Sequence, residues 1–202
     1  EGNTLTLLET KVVLEGITVG GKALREHFEA INHRDAILYV EDIIKKQEPF
    51  SEWQIRNIHQ LILKNIDDEN AGRYRQQNVL ISGATINPPD HTLLNDKMAQ
   101  FIDWYKQESQ KLHPVELAAK VHADFVGIHP FIDGNGRTSR LLMNLELMKA
   151  GYPPSVITVE NRLAYYEALD QWMAYGNTEP FINLIAGVVL DGFKPYQTVL
   201  GI

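Results

Sequence analysis

Two helical patterns separated by a short break constrain the fold of this chain most strongly. Apolar residues recur at helical spacing over 115–128 and again over 137–148, which predicts two consecutive helices. Pro130 disfavours a helical backbone at the residue before it, so the first helix is expected to stop at His129. Gly151 suits the position just beyond the C-terminus of the second helix. The sequence therefore predicts a short loop that faces the N-terminus of a helix.

This loop carries groups that bind phosphate. Gly134 and Gly136 can adopt backbone angles closed to other residues, and they leave space for an anion beside their N–H groups. The helix N-terminus behind them carries unpaired N–H groups and about half a positive charge. Arg137 and Arg140 lie on one side of the first helical turn, where guanidinium groups suit phosphate oxygens. We interpret the loop as part of an active site.

A carboxylate and an imidazole complete the loop. Asp133 makes sense among anion-binding groups if it holds a divalent cation, and Mg²⁺ prefers oxygen ligands and phosphates. A histidine side chain ordinarily titrates near neutral pH, so His129 can accept a proton from an attacking hydroxyl. Taken singly, a Gly-Asn-Gly sequence is usually a turn, and a histidine before proline is more often a hydrogen-bonded helix end. The combination of these residues at this spacing favours the active-site interpretation.

The signature stretch, residues 129–140, resembles the signature of the Fic domain family, His-x-Phe-x-Asp/Glu-Gly-Asn-Gly-Arg-x-x-Arg, and matches every specified position. The resemblance implies an all-α helical bundle and the transfer of AMP from ATP to a Ser, Thr or Tyr hydroxyl of a target protein. It implies that His129 is the base, that Asp133 holds Mg²⁺ between the α- and β-phosphates, and that Phe131 is a buried anchor. The implied phosphate ligands are an anion hole of Gly134, Asn135 and Gly136, with Arg137 at the phosphates and Arg140 at the γ-phosphate.

The start of the chain, Glu1-Gly2-Asn3, resembles the autoinhibitory motif of one Fic class. In that class the glutamate pairs with the second arginine of the signature, here Arg140, and keeps the γ-phosphate out of its productive position. We therefore predict that Glu1 is inhibitory and that residues 1–21 hold a remnant of the motif and a short helix. The resemblance also allows removal of AMP, with the glutamate positioning water. From the residues alone, the alternative is a mobile terminus.

The helical pattern breaks between residues 72 and 89. Val79, Ile81 and Thr85 around Gly83 predict a short β-hairpin. This segment resembles the Fic flap, which aligns the backbone of the target beside the active site by strand addition. An ordinary surface hairpin is the alternative interpretation.

Tyr166 is the candidate residue for binding adenine. Tyr165 and Tyr166 follow Arg162 in an Arg-x-x-Tyr-Tyr run, and in Fic proteins with this run the second tyrosine lines the adenine pocket. Its ring would offer a face for stacking. A role in the hydrophobic core is the alternative.

The remaining sequence predicts the helical scaffold. Capping boxes are expected at Thr6 with Glu9 and at Ser51 with Gln54. His59 is expected to pack or to be partly exposed. Further helices are predicted over 22–46, 51–66, 91–108, 161–175 and 180–193. We therefore expect one Fic domain over residues 1–202, with an all-α fold and a short β-hairpin flap at 72–89.

Composition excludes several functional classes. The chain has a net charge of −7, which argues against a general nucleic-acid binder, and no apolar run approaches the length of a membrane helix. It contains no cysteine, which rules out disulfides and fits a reducing cytoplasm. The expected partners are ATP and a hydroxyl-bearing target protein, without membrane or direct nucleic acid, and family analogy allows a homodimer.

Two other functions remain open from the sequence. Another phosphoryl-group transfer is known among Fic relatives, but Gly134 and Gly136 differ from the glycine-poor loop of those proteins. A nucleotide-sensing interaction module without transfer activity is the second alternative. The presence of His129 disfavours a pure sensor, because binding needs the phosphate-binding groups but no base.

Overall fold

The structure is a computed structural model that describes residues 3–201, and within that range the regular secondary structure is helical. The helices are α1 (Leu7–Leu14), α2 (Leu24–Lys45), α3 (Glu52–Leu63), α4 (Leu94–Glu108), α5 (Pro114–Ile128), α6 (Asn135–Lys149), α7 (Arg162–Tyr175) and α8 (Glu179–Leu200), and a 3-10 turn (His91–Leu93) precedes α4. No helix in the described range combines the length and apolar character needed to cross a membrane.

Local capping rules predicted some helix starts better than others. The capping box of Thr6 and Glu9 at the start of α1 is confirmed. At α3 the Ser51 side chain accepts from the backbone N–H of Gln54. The side-chain amide of Gln54, however, donates to the Glu48 carboxylate at 3.0 Å. The predicted second box is therefore only half formed, because Gln54 has a charged acceptor nearby.

Helix α5 is at the centre of the fold and packs against α4, α6, α7 and α8. Three of its alanines, Ala118, Ala119 and Ala123, are fully buried, and such small side chains let neighbouring helices approach closely. Helix α6 also packs against α2 and α3. The α5–α6 pair therefore holds the signature stretch between two hydrophobic clusters, and Phe131 belongs to the cluster shared with α2, α3 and α4.

The prediction of a β-hairpin over 72–89, the flap segment, is wrong. The segment is irregular, and its turn at 81–84, with Ala84 N–H donating to the Ile81 carbonyl at 3.2 Å, is not followed by strand pairing. Gly83 has a φ of +82°, which glycine adopts without strain at the third residue of a turn. The N–H of Thr85 is bonded to a side chain of α7 instead of a facing strand. A lone two-stranded hairpin is only marginally stable in water. Contacts with side chains of the helices therefore determine the backbone conformation of the flap segment.

Candidate active site

His129 ends α5 in a left-handed conformation, with φ 50° and ψ 58°. This geometry is uncommon for a residue with a side chain, and such strain is found at functional sites. Nδ1 of His129 lies 3.3 Å from the carbonyl oxygen of Val126. Since a carbonyl only accepts, Nδ1 carries the hydrogen and Nε2 keeps the lone pair. Burial lowers the pKa of His129, which favours the neutral ring that a base requires.

Asn135 fixes the loop through its side chain. Its Oδ1 accepts from the Phe131 N–H at 3.0 Å and its Nδ2 donates to the Phe131 carbonyl at 2.8 Å. Both residues are buried. The side chain of Asn135 is thus occupied within the loop, and its predicted place in an anion hole concerns its backbone N–H at the start of α6.

The two glycines of the signature stretch have different backbone requirements. Gly134 caps α6 with a φ of +77°, and a Cβ built on it would lie 3.2 Å from Nε2 of His59. Glycine is therefore needed there for both conformation and space. Gly136 lies inside the first turn of α6. Gly136 also lines the neighbouring cavity, so the first turn of α6 borders that cavity.

Asp133 lies at the surface of the loop within a network of charges. Its Oδ2 accepts from Arg25 of α2 at 2.9 Å, and its Oδ1 lies 3.3 Å from an Arg137 nitrogen and accepts from the Gly134 N–H at 2.6 Å. Arg25 also donates to Glu29 at 3.1 Å. Burial by itself would raise the pKa of Asp133, but the Gly134 N–H and the two guanidinium groups outweigh it and lower the pKa. Asp133 is therefore a carboxylate at neutral pH.

The donor set around Asp133 limits the kind of metal it could hold. The described residues contain no group of three or more His, Asp or Glu side chains that could hold a metal ion. One carboxylate that is 48% exposed fits Mg²⁺, because Mg²⁺ is commonly bound by one or two carboxylates with phosphates and water. The site thus suits a cation that arrives with a phosphate ligand.

A cavity of about 330 Å³, the central cavity, lies beside the signature stretch. Its volume is within the range of small-molecule sites, roughly 300–1,000 Å³. Its lining comprises Ile81, Ser82, Gly83, Ala84, Val126, His129, Gly136, Arg140, Tyr165, Tyr166, Leu169, Asp170 and Met173. A groove of about 690 Å³ between α7 and α8 is larger, but its lining lies within 161–191, away from the signature stretch. The central cavity is therefore the better candidate site.

The central cavity brings together some of the predicted residues and not others. His129, Gly136, Arg140 and Tyr166 line it, as do Ile81 and Gly83 of the flap segment. Tyr166 as a whole residue is 51% exposed. The other predicted site residues are not in the lining: Val79, Asp133, Gly134, Asn135 and Arg137. Arg137 reaches towards Asp133 and Glu29 instead. The predicted inhibitory residue, Glu1, lies outside the described residues.

Sequence reasoning missed two residues that shape the site. Arg75, only 4% exposed, donates to the carbonyl of His129 at 2.9 Å, and its backbone N–H donates to the carbonyl of Pro130 at 2.9 Å. Arg25 pairs with Asp133 from α2. No local pattern identified either residue, because their partners lie more than fifty positions away in the sequence.

Comparison with known proteins places this arrangement in a family. The family model described as Fic/DOC family matches residues 49–147. A Fic domain containing signaling protein from Bacteroides thetaiotaomicron superposes with a TM-score of 0.87 and 32% identity, over 95% of this chain and 79% of that one. The chain belongs to the Fic/DOC family. The all-helical Fic fold expected from the signature stretch is therefore confirmed, apart from the hairpin.

Longer Fic proteins are also similar to this Fic chain. A protein named protein adenylyltransferase Fic from Nematostella vectensis is 42% identical over 189 residues, which is 92% of this chain and 44% of that protein. The structure of Fic-1 from C. elegans, residues 134–508, has a TM-score of 0.88 and 33% identity, and covers 99% of this chain and 60% of that one. The chain thus spans less than half the length of the curated relatives it matches.

Proposed function

We propose that this chain transfers AMP from ATP to a Ser, Thr or Tyr hydroxyl of a target protein. The observation that carries the proposal is the shared lining of the central cavity, which includes His129, Gly136, Arg140 and Tyr166. A base, a helix N-terminus, a guanidinium and an aromatic ring are the groups needed to activate a hydroxyl and bind a nucleotide. The relatives named protein adenylyltransferase support the same reaction class.

His129 would act as the general base. Its Nδ1 is held at the Val126 carbonyl, so the lone pair of Nε2 is available to accept the proton of the target hydroxyl. The oxygen then forms a bond to the α-phosphorus of ATP, and the bond to pyrophosphate breaks. Because burial lowers the pKa of His129, the imidazole stays neutral at physiological pH.

The start of α6 would bind the phosphates. Gly136 in the first turn of α6 lines the cavity, Arg140 follows one turn later in the same lining, and the N-terminus of a helix attracts anions. Arg137 would act through Asp133, which it approaches to 3.3 Å. When bound, Mg²⁺ held by Asp133 would offset negative charge on the α- and β-phosphates. Tyr166 would stack on adenine through its exposed face.

The flap segment would align the target beside His129. It is irregular and not paired in a sheet, so an extended target segment would pair with the backbone groups that lack partners within the segment. Glu1 would restrain the reaction by pairing with Arg140, because that contact occupies donors needed by the γ-phosphate.

The test uses the chain with Mg²⁺ and ATP labelled on the α-phosphate, followed by autoradiography and intact-mass measurement. We expect the wild-type chain to attach one AMP to itself. The labelled fraction should be larger in Glu1→Gly, and His129→Ala should carry no label. His91→Ala is the matched control, because His91 lies outside the cavity lining. Label transferred only from the γ-phosphate would instead indicate kinase chemistry. ATP binding without any transfer, also in the presence of candidate target proteins, would favour a nucleotide-sensing module.

A further inference from the structure

The flap segment has no strand pairing of its own, so contacts with side chains determine its position. At its base, the Arg75 guanidinium donates to the carbonyls of Gln77 and Pro89 at 2.9 and 2.6 Å. The Asn78 amide donates to Asp90 at 2.7 Å. These contacts fix where the segment leaves and rejoins the helical fold. They leave the position of its tip to be fixed elsewhere.

One carboxylate of α7 holds the tip of the flap segment, which comprises the turn at 81–84 and Thr85. The backbone N–H of Thr85 donates to Oδ1 of Asp170 at 2.7 Å, and the Thr85 hydroxyl donates to Oδ2 at 2.6 Å. Both oxygens of Asp170 thus bind the same residue. The Thr85 hydroxyl, and then its N–H, lower the pKa of Asp170, so the acceptor is charged at neutral pH. Hydrogen bonds to a charged acceptor are stronger than neutral ones.

This contact lies at the rim of the central cavity. Residues 81–84, immediately before Thr85, form one part of the lining, and Asp170 with its neighbours on α7 forms another. The separation between these two walls therefore depends on the contact between Thr85 and Asp170. We propose that Asp170 is a positioning residue that holds the flap segment over the central cavity through Thr85, an inference that rests on the proposed binding of ATP there.

The proposal assigns Asp170 an effect on retention of the nucleotide. If the contact is lost, the tip of the flap segment is released, the cavity opens on that side, and bound nucleotide leaves faster. Release also removes an ordered backbone beside His129. The KM for a target protein should therefore increase by a larger factor than kcat decreases. A residue that only supported α7 would alter stability without these effects.

The first test is amide hydrogen exchange of the whole chain without nucleotide. Asp170→Ala should raise the exchange rate of residues 79–86 about tenfold, because it removes two hydrogen bonds to a charged group. Thr85→Val should cause a smaller rise, since it keeps the bond from the backbone N–H to Asp170. Thr85→Ser keeps the hydroxyl as well and should exchange at the wild-type rate. Glu167→Ala removes another acidic side chain of α7 and serves as the control. Unchanged exchange in Asp170→Ala would overturn the proposal.

The second test measures dissociation of a fluorescent, non-hydrolysable ATP analogue in the presence of Mg²⁺. Several-fold faster dissociation is expected in Asp170→Ala and Thr85→Val but not in Glu167→Ala. Faster amide exchange with unchanged dissociation would overturn the positioning role. Failure of the wild-type chain to bind the analogue, with exchange still dependent on Asp170, would overturn the nucleotide assignment of the cavity while supporting the contact with Thr85.

Discussion

The imidazole of His59 lies face to face with the ring of Phe131, with ring centroids 3.5 Å apart and an interplanar angle of 2°. Its Nδ1 accepts from the Gly72 N–H at 2.9 Å, so Nε2 carries the hydrogen and donates to the Asp133 carbonyl at 2.9 Å. Burial lowers the pKa of His59 to about 4, which keeps this ring neutral. One buried side chain of α3 therefore links the start of the flap segment to the signature stretch.

Replacing His59 with alanine should destabilise the fold strongly. The change removes a fully buried ring and two hydrogen bonds, and we expect a loss of about 3 kcal/mol in the free energy of unfolding. Urea denaturation measures this loss. Gln60→Ala, which truncates the exposed neighbouring side chain on α3, is the control. A loss no larger than that of the control would contradict an anchoring role for His59.

Replacing Gly134 with alanine should cost more than the same change at Gly151. Both glycines flank α6 with positive φ, +77° at Gly134 and +83° at Gly151. A Cβ at Gly151 meets no atom within 4 Å, whereas one at Gly134 lies 3.2 Å from His59. We expect about 1 kcal/mol for Gly151→Ala from backbone strain alone, and a larger loss for Gly134→Ala. Equal losses in urea denaturation would show that crowding by His59 has no effect.

Asn135→Ala should displace the loop as well as destabilise the protein. It removes both bonds to the Phe131 backbone inside a buried site, which should cost about 2–3 kcal/mol. Asn144→Ala is matched to it, because Asn144 also holds a loop backbone, at Ser155, through two bonds. Both variants should lose stability in urea. Only Asn135→Ala should weaken binding of an ATP analogue, as measured by calorimetry, and equal binding in both would contradict this prediction.

Local rules explain which parts of the fold the sequence predicted. The ends of the helices around the signature stretch follow from Pro130 and Gly151, whose effects extend over one or two residues. The turn at Gly83 was also predicted from local chemistry, but the strands beside it were not formed. The Thr85 N–H binds Asp170 from 85 positions away, and no short-range pattern reveals such a partner.

The same limit applies to the candidate site. His129, Arg140 and Gly136 could be named from the signature stretch, because their chemistry is carried by neighbours in sequence. The contacts of His59, Arg25 and Arg75 with the stretch span 74, 108 and 54 positions, respectively. Their roles depend on how α2, α3 and the flap segment pack against α6, which helical periodicity alone does not specify.

Arg25→Ala should have little effect on stability. Its guanidinium is 57% exposed and the Asp133 carboxylate is 48% exposed, so water and salt screen their attraction. Exposed pairs of this kind contribute about 0.2–1 kcal/mol. Urea denaturation at low salt should therefore show a small loss, which shrinks further at high salt. A loss of the size expected for His59→Ala would contradict this view of the charge network.

Stability should fall in acid through His122, which is fully buried on α5 with its Nε2 2.9 Å from the Tyr165 hydroxyl. Burial, and then the charge of Arg140, lower its pKa from 6.5 to about 3. Between these values the unfolded chain binds a proton that the folded chain does not. The free energy of unfolding therefore decreases as pH falls below 6.5, by up to about 1.4 kcal/mol per pH unit from this group.

His122→Gln tests this assignment, because glutamine keeps a polar group for Tyr165 but does not titrate. Urea denaturation at pH 7, 6 and 5 should show a smaller decrease in unfolding free energy for His122→Gln than for the wild type, even though the variant starts from a lower value at pH 7. His113→Asn removes an exposed imidazole at the start of α5 while keeping a side chain that can cap the helix. The effect depends on a buried ring that the folded chain keeps neutral below pH 6.5, where the unfolded chain binds a proton. An equal change in the pH dependence of the unfolding free energy in both variants would therefore contradict the role of His122.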